Sequence, residues 1–470
     1  MTPRPRLTLA VLVCLAFPAL LRSQSTDATH QLARDIFKQL IEINTSDSVG
    51  STTVAAEAMA KRLRDAGYPE SDLYVGGPNS RKGNLVARLH GSGAHKPILM
   101  IGHLDVVEAR RDDWSFDPYV FLEKDGYFYG RGSIDMKSGD TFLMIAMIRM
   151  KQKGFKPDRD IILALTADEE GGQSNGVDWL LKNHRDLIDA EYALNPDAGT
   201  FQMVGDKKSM TAVSASEKLY QDFELKVTNP GGHSSLPVAD NAIYDLAEGL
   251  TRLEHYKFPF ELNEITRSYI DHMATLTGGD LGADMKAILK NPPDPAALER
   301  LSKLPYYNGI THTTCVATRL DAGHANNALP QMARANVNCR ILPGHTVDEI
   351  QATLVKVLDN PKISVTPVLT GGIVARSNPP SPLRPDVMGT LEKITAEMWP
   401  GVPVVPVMET GASDGAYSRA AGIPTYGVSG MWMDPNDDRS HGRDERLAVW
   451  SFYAGVDFYP RFVEALCSGR

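Results

Sequence analysis

The sequence predicts an α/β fold: a mostly parallel mixed sheet covered by helices, interrupted by an inserted α+β domain of ferredoxin-like type. Three observations lead there. The apolar runs "KPILMIG" and "RDIILALTA" lack the alternation of a half-exposed strand and so suit a sheet buried on both faces. Helical stretches separate these runs, as parallel strands require a long crossover between them. From about residue 214 the pattern changes to alternating strands, and it returns to α/β after about 370, which marks an insertion.

Taken in order, "TVAAEAMAKRLRDAG" has helical apolar spacing and stops at Gly67, before the strand "KPILMIG". The long helix "SGDTFLMIAMIRMKQKG" ends at Gly154 and leads into the strand "RDIILALTA". Within the insertion, "KLYQDFELKVT" alternates, the loop "NPGGHSSLP" follows, and "NAIYDLAEGLTRL" is helical. Two more alternating runs, "THTTCVATRL" and "ARANVNCRIL", precede the helix "TVDEIQATLVKVL", while the Pro-rich piece "KNPPDPAALERLSKLP" reads as a surface excursion. The last helix falls in "DERLAVWSFYAGVDFYPRFVEAL". At 470 residues the chain exceeds one ordinary core. The expected organisation is a leader over 1–23, a first α/β part over 24–213, the inserted domain over 214–345 and a second α/β part over 346–470.

With 42% apolar and 23% charged residues the composition is that of a soluble globular protein. A net charge of −9, with no basic block, argues against nucleic acid or an anionic membrane as partner. Arg4 and Arg6 precede the apolar segment Leu7–Leu21, about fifteen residues containing a proline. That is short of the roughly twenty needed to span a bilayer, so it reads as a signal peptide cleaved near Ser23. The mature chain is then expected to be secreted or periplasmic, with no stable membrane span. Export leaves Cys315, Cys339 and Cys467, an odd number, so at least one thiol stays free. Whether Cys315 and Cys339 pair is left open.

Acids and histidines gather where this scheme ends its strands. "GHLDVV" puts His103 and Asp105 on the same side of one strand end. "YGRGSIDMKSGD" sets Asp135 in a glycine-bounded loop, "TADEEGG" places Asp168, Glu169 and Glu170 after the next buried strand, "ALNPDAG" supplies Asp197, and "DDRSHGRDE" offers His441. Carboxyl ends of strands in an open α/β sheet form the ligand crevice. Carboxylates brought together this closely raise one another's pKa and call for a cation, and imidazole with carboxylate suits zinc better than calcium or magnesium. Two histidines and three carboxylates exceed one catalytic site but fit two metals that share a carboxylate and polarise a water between them. Glu169 and Glu170 point to opposite sides of an extended segment, so one is expected to ligate and the other to carry the proton from water to a leaving amine.

The series "GHLDVV", "GRGSIDMKSG", "TADEEGG", "LNPDAG", "GGHSSLP", "ANNALP" with "VNCRILPG", and "SHGRDE" covers nearly the whole mature chain. In this order it resembles the two-zinc exopeptidases and amidohydrolases that include glutamate carboxypeptidase, carnosinase and related dipeptidases, aminoacylase and succinyl-diaminopimelate desuccinylase. The resemblance implies that Asp135 bridges two zinc ions, with cobalt or manganese as substitutes. His103 and Asp197 would complete one site, and Glu170 and His441 the other. It also implies Glu169 as general base, Asp105 as the residue orienting His103, and a cis peptide after Asp135. Many relatives have Glu followed by two glycines where this chain has "NPDAG", so Asp197 is aligned on spacing and charge, with Asp168 and Glu191 as poorer substitutes. The inserted domain resembles the family's lid, where His233 matches the residue that stabilises the oxyanion. Arg340 and Asn327 match groups that hold the substrate's C-terminal carboxylate, and Gly411 lies in a pocket-lining turn with Asp414.

The expected activity is hydrolysis of dipeptides or short peptides next to a free C-terminal carboxylate. An aminoacylase-like action on N-acyl amino acids uses the same residues, and a non-catalytic exported metal- or peptide-binding module is the alternative outside enzymes. The lid leaves a homodimer open.

Overall fold

The computed structural model describes residues 17–469 except 172, 370–374 and 377, with side chains from residue 28 onward. The expected leader therefore lies largely outside the described residues. Among those residues no helix is long and apolar enough to cross a membrane.

The central sheet has ten strands. Its first half runs Leu73–Gly76, Asn84–Leu89, Ile161–Thr166, Ile98–His103, Tyr192–Asn195 and Thr425–Gly427. Lys207–Glu217 continues the sheet and is flanked by Val404–Glu409 and by Phe201–Val204, on which the tenth strand, Trp432–Met433, pairs. The pairings of Ile98–His103 with Ile161–Thr166 and with Tyr192–Asn195 are parallel, as are those of Tyr192–Asn195 with Thr425–Gly427 and of Val404–Glu409 with Lys207–Glu217. Every residue of Ile98–His103 and Ile161–Thr166 is buried, which is why their sequences are continuously apolar. Helix Lys137–Gln152 is buried almost all round, between the sheet and the last helix Val449–Leu466. There Gly455 is required, because a β-carbon would meet the Phe142 ring at 2.5 Å.

The insertion forms a separate four-stranded antiparallel sheet in the order Thr314–Ala322, Met332–Ile341, Leu219–Thr228, Ser364–Pro367. Helices Ala242–His255 and Val347–Leu358 cover one face, burying Leu246, Leu253, Ile350 and Leu354 against Phe223, Leu225 and Val337. Chain order and strand order together are those of a ferredoxin-like βαββαβ unit. This unit starts at Leu219 and ends at Pro367, so the expected boundaries of 214 and 345 are corrected. The second helix and the fourth strand come after 345, and strand Lys207–Glu217 belongs to the central sheet. Cys315 and Cys339 face each other in register on neighbouring strands and are disulfide-bonded, while Cys467 is free and buried.

A second difference concerns the Pro-rich piece 290–305, whose helix Pro295–Ser302 packs in one run with Glu264–Thr277, Gly279–Ile288 and Pro305–Thr311. It is not a surface excursion of the inserted unit. Ile265, Tyr269, Ile270, Met285, Ala297 and Leu301 are buried in the main core with Leu391, Val405 and Val407. The apolar residues recur at helical spacing, which gives each helix one stripe to bury against the central layer.

Candidate metal centre

Parallel register aligns His103 with Thr166, so the carboxyl ends of two buried strands open at one level of the sheet. Beyond Thr166 the chain turns at Asp168, whose φ of +57° is left-handed. Lys82 holds that turn by donating to Asp168 and, at 2.5 Å, to Asp47. The Asp105 carboxylate accepts from the backbone N–H of Glu169 (3.1 Å) and of Glu170 (3.0 Å). It thus fixes the acid turn, and it lies 3.7 Å from His103 Nδ1. The nearer partner of Nδ1 is the Asp105 carbonyl, at 3.1 Å. Residue 105 therefore orients His103 mainly through its backbone, and uses its side chain to place the two glutamates.

Asp135 and His441 come from segments joined by a buried ion pair. Glu445 accepts from Arg131 Nη1 (2.7 Å) and from the backbone N–H of Gly132, Ile134 and Asp135. Arg131 Nη2 donates to the carbonyls of His441 (3.3 Å) and Gly442 (2.9 Å). The peptide bond from Asp135 to Met136 is cis.

These elements bring seven expected residues together. His103 Nε2 lies 3.1 Å from Asp135 and 3.6 Å from Asp197; His441 Nε2 lies 3.0 Å from Asp135 and 2.9 Å from Glu170. His103, Asp135 and Asp197 form one group with converging ligand atoms, and Asp135, Glu170 and His441 form a second, so Asp135 is common to both. Glu169 belongs to neither group, and its Oε2 is 3.9 Å from His103 Nε2. The substitutes weighed for Asp197 are committed elsewhere: Glu191 pairs with Arg159 and Arg384, and Asp168 with Lys82.

Burial and mutual proximity raise the pKa of every group in the cluster except Asp135, which alone is lowered. Burial raises Glu169 well above the carboxylate range and also raises Glu170 and Asp197. Burial works against protonation of His103, but the carboxylates of Asp135 and Asp197 override it and hold the imidazole pKa up. Hydrogen bonds to Asp135 and Glu170 push His441 to about 10. Asp135 moves the other way: burial opposes its charge, and the two imidazoles outweigh that and lower its pKa. Protons shared in this way stand where cations fit, and the donor set of imidazole and carboxylate suits zinc, manganese or cobalt.

Asp135, Glu169, Glu170, Asp197 and His441 line a cavity of about 270 Å3, with Gly411, Ala412, Ser413, Met431 and Met433, while His103 is buried behind it. Its wall also holds two acids that sequence reasoning missed, Glu217 and Glu409. They end neighbouring parallel strands in register, a placement visible only once the pairing is known. Arg131, Glu445 and Lys82 were likewise missed; Arg131 lies in "GRG" and Glu445 in "SHGRDE", but neither stretch by itself shows that one holds the other. Asp414 sits behind the site, accepting from Thr166 and Asn175, and burial raises its pKa to about 6. His233, Asn327 and Arg340 do not line the cavity. His233 and Asn327 lie together on the inserted unit, where Ser234 N–H donates to the Asn327 carbonyl, and Arg340 stacks over Tyr220 at 4.6 Å.

Two metal-ready groups sharing a carboxylate at the open end of an α/β sheet define the class of hydrolytic metalloenzymes. The model of peptidase family M20/M25/M40 matches residues 99–465, and the chain belongs to this family. Its members are hydrolytic enzymes that bind a dinuclear metal centre. Among relatives, the probable carboxypeptidase S-like 2 of Dictyostelium discoideum is 27% identical, over 78% of this chain and 71% of its own. The N-fatty-acyl-amino acid synthase/hydrolase PM20D1 of Mus musculus is 26% identical, over 94% and 89%. Among solved structures, the M20 family metallo-carboxypeptidase Sso-CP2 from Sulfolobus solfataricus superposes with a TM-score of 0.68 at 16% identity, covering 92% of this chain and 99% of that one.

Proposed function

We propose that the chain is an exported two-zinc exopeptidase that hydrolyses dipeptides or short peptides bearing a free C-terminal carboxylate. The observation that carries this reading is the pair of ligand groups sharing Asp135, with Glu169 beside them and outside both. His103, Asp135 and Asp197 would hold one ion and Asp135, Glu170 and His441 the other. Bound there, the ions would polarise the scissile carbonyl and lower the pKa of the attacking water. Glu169, kept proton-seeking by burial, takes a proton from that water and delivers it to the leaving amine. Asp105 keeps Glu169 in place through its backbone N–H.

Arg340 and Asn327 would hold the carboxylate, the guanidinium by a two-pronged contact, and His233 would face the developing oxyanion. His233 would reach the cavity from a second copy in a homodimer built on the inserted unit. That reading is supported by the unpaired edge strand Thr314–Ala322, on which Val316 and Leu320 are 59% and 69% exposed. The named activity of PM20D1 favours a second reading, hydrolysis of N-acyl amino acids by the same centre.

A panel of dipeptides and N-acyl amino acids, assayed with and without chelator alongside elemental analysis, tests the proposal. The expected result is close to two metal ions per chain and dipeptide hydrolysis that the chelator abolishes. Full activity with one ion per chain, or activity untouched by chelation, would overturn it.

A further inference from the structure

Charge in the cavity wall is unevenly matched. Four carboxylates, those of Asp135, Glu169, Glu170 and Asp197, surround the metal groups, and two divalent ions would balance them. Two further acids remain inside. Strand Val404–Glu409 runs parallel to Lys207–Glu217 and sets Glu409 opposite Glu217 at the ends of both strands. Like charges in that relation destabilise a sheet unless something compensates them. For Glu217 the compensation is internal: Arg419 lies 2.8 Å from it and Ser413 donates to it at 2.8 Å. Arg419 is buried and also tied to Ser381 and the Thr425 carbonyl, so it stays with the wall.

Glu409 has no such partner. One carboxylate oxygen accepts from Gly199 N–H at 3.1 Å, and among the described residues no Lys, Arg or His lies within ion-pair distance of it. Among the described residues no Lys or Arg lines the cavity, and the remaining acid there, Asp438, is exposed and accepts from the Ser440 N–H. Gly199 is two residues beyond Asp197, so this carboxylate stands on the Asp197 side of the metal groups. Burial pushes the Glu409 carboxyl above its ordinary pKa, and the Gly199 N–H and the more distant Arg419 offset this only in part, so a cation brought in from outside would favour its charged form.

We infer that Glu409 selects substrates by receiving a cationic amine on the acyl side of the scissile bond. The inference rests on the exopeptidase reading above and narrows it. The substrate's carboxylate end is excluded from this wall by repulsion, so the acyl side faces Glu409. Its cation is the free amino terminus or a basic side chain, and an uncharged fatty acyl group would leave Glu409 unmatched. This sets the chain apart from an enzyme whose acyl group carries no charge.

Three substrates sharing one leaving group test it with the metal-loaded enzyme: Ala-Leu, N-acetyl-Ala-Leu and N-acetyl-Lys-Leu. Ala-Leu should exceed N-acetyl-Ala-Leu in kcat/KM by about tenfold or more, mainly through KM, the size of one hydrogen bond to a charged group. Recovery with N-acetyl-Lys-Leu would assign the cation to a side chain; no recovery would assign it to the amino terminus, and both uphold the inference. In Glu409→Gln the preference should collapse to within a few-fold, whereas Glu409→Asp should keep part of it. Equal rates on Ala-Leu and its acetylated form in the unaltered enzyme would overturn the inference and leave the exopeptidase reading standing, whether or not the variants fold. Failure to cleave any of the three would remove that reading and the inference with it.

Discussion

Glu169 and Glu170 are neighbours in sequence with opposite duties in space. Both backbone N–H groups bond to Asp105, yet only Glu170 reaches His441, while Glu169 turns toward His103. Replacing Glu169 by Gln should therefore lower kcat by about 10²–10⁴, the usual worth of a positioned general base, with metal content unchanged. Glu170→Gln should instead lose metal, read as ions per chain, because it withdraws a ligand from one group. Equal metal loss in the two variants would sink this division. The sequence showed the pair and predicted opposite directions, since adjacent residues on an extended segment diverge. It could not exclude Glu191 in favour of Asp197, because the partners that occupy Glu191 are 32 and 193 residues away, at Arg159 and Arg384.

Loops and helices tell a different story from single residues. The segments carrying Asp135 and His441 are distant in the chain, Glu445 lying 310 residues beyond Asp135, and are held as one element by Arg131 and Glu445, whose side chains are 3% and 0% exposed. Removing one partner leaves the other buried and unpaired, so Glu445→Ala should cost about 3–5 kcal/mol in denaturant unfolding. Three backbone donors also lose their acceptor, among them Asp135 N–H. Glu445→Gln keeps an acceptor and should lose less stability, but should still weaken metal binding through Asp135. A variant with unchanged midpoint and unchanged metal content would contradict the stitching role. Strands and helices of the central layer were legible because burial writes continuous apolar runs into them. The piece 290–305 reads as a surface excursion because its proline-rich, polar sequence outweighs the short stripe of Ala297 and Leu301 that helix Pro295–Ser302 buries in the main core.

Across the whole molecule, the ligand cluster couples metal binding to stability and to pH. Glu169, Glu170, Asp197 and His441 all have folded-state pKa values above their ordinary ones. A folded chain that binds protons more tightly than the unfolded one loses stability as pH rises, from the ordinary carboxylate range up to about 10, where His441 titrates. Asp135 is shifted the other way, so its contribution is lost only below the carboxylate range and does not alter this window. Cations binding the same atoms displace those protons and remove the repulsion that replaces them. The metal-induced rise in Tm should therefore be larger at pH 8.5 than at pH 6. At any one pH the stabilisation should grow with free metal, reaching about 2.7 kcal/mol at a hundred times Kd. Scanning calorimetry of chelated and zinc-loaded protein at both pH values, with proton release followed in a weakly buffered titration, measures both sides of this linkage. A Tm rise that is the same at pH 6 and 8.5, or metal uptake without proton release, would mean that the carboxylates and imidazoles are not held as the geometry places them.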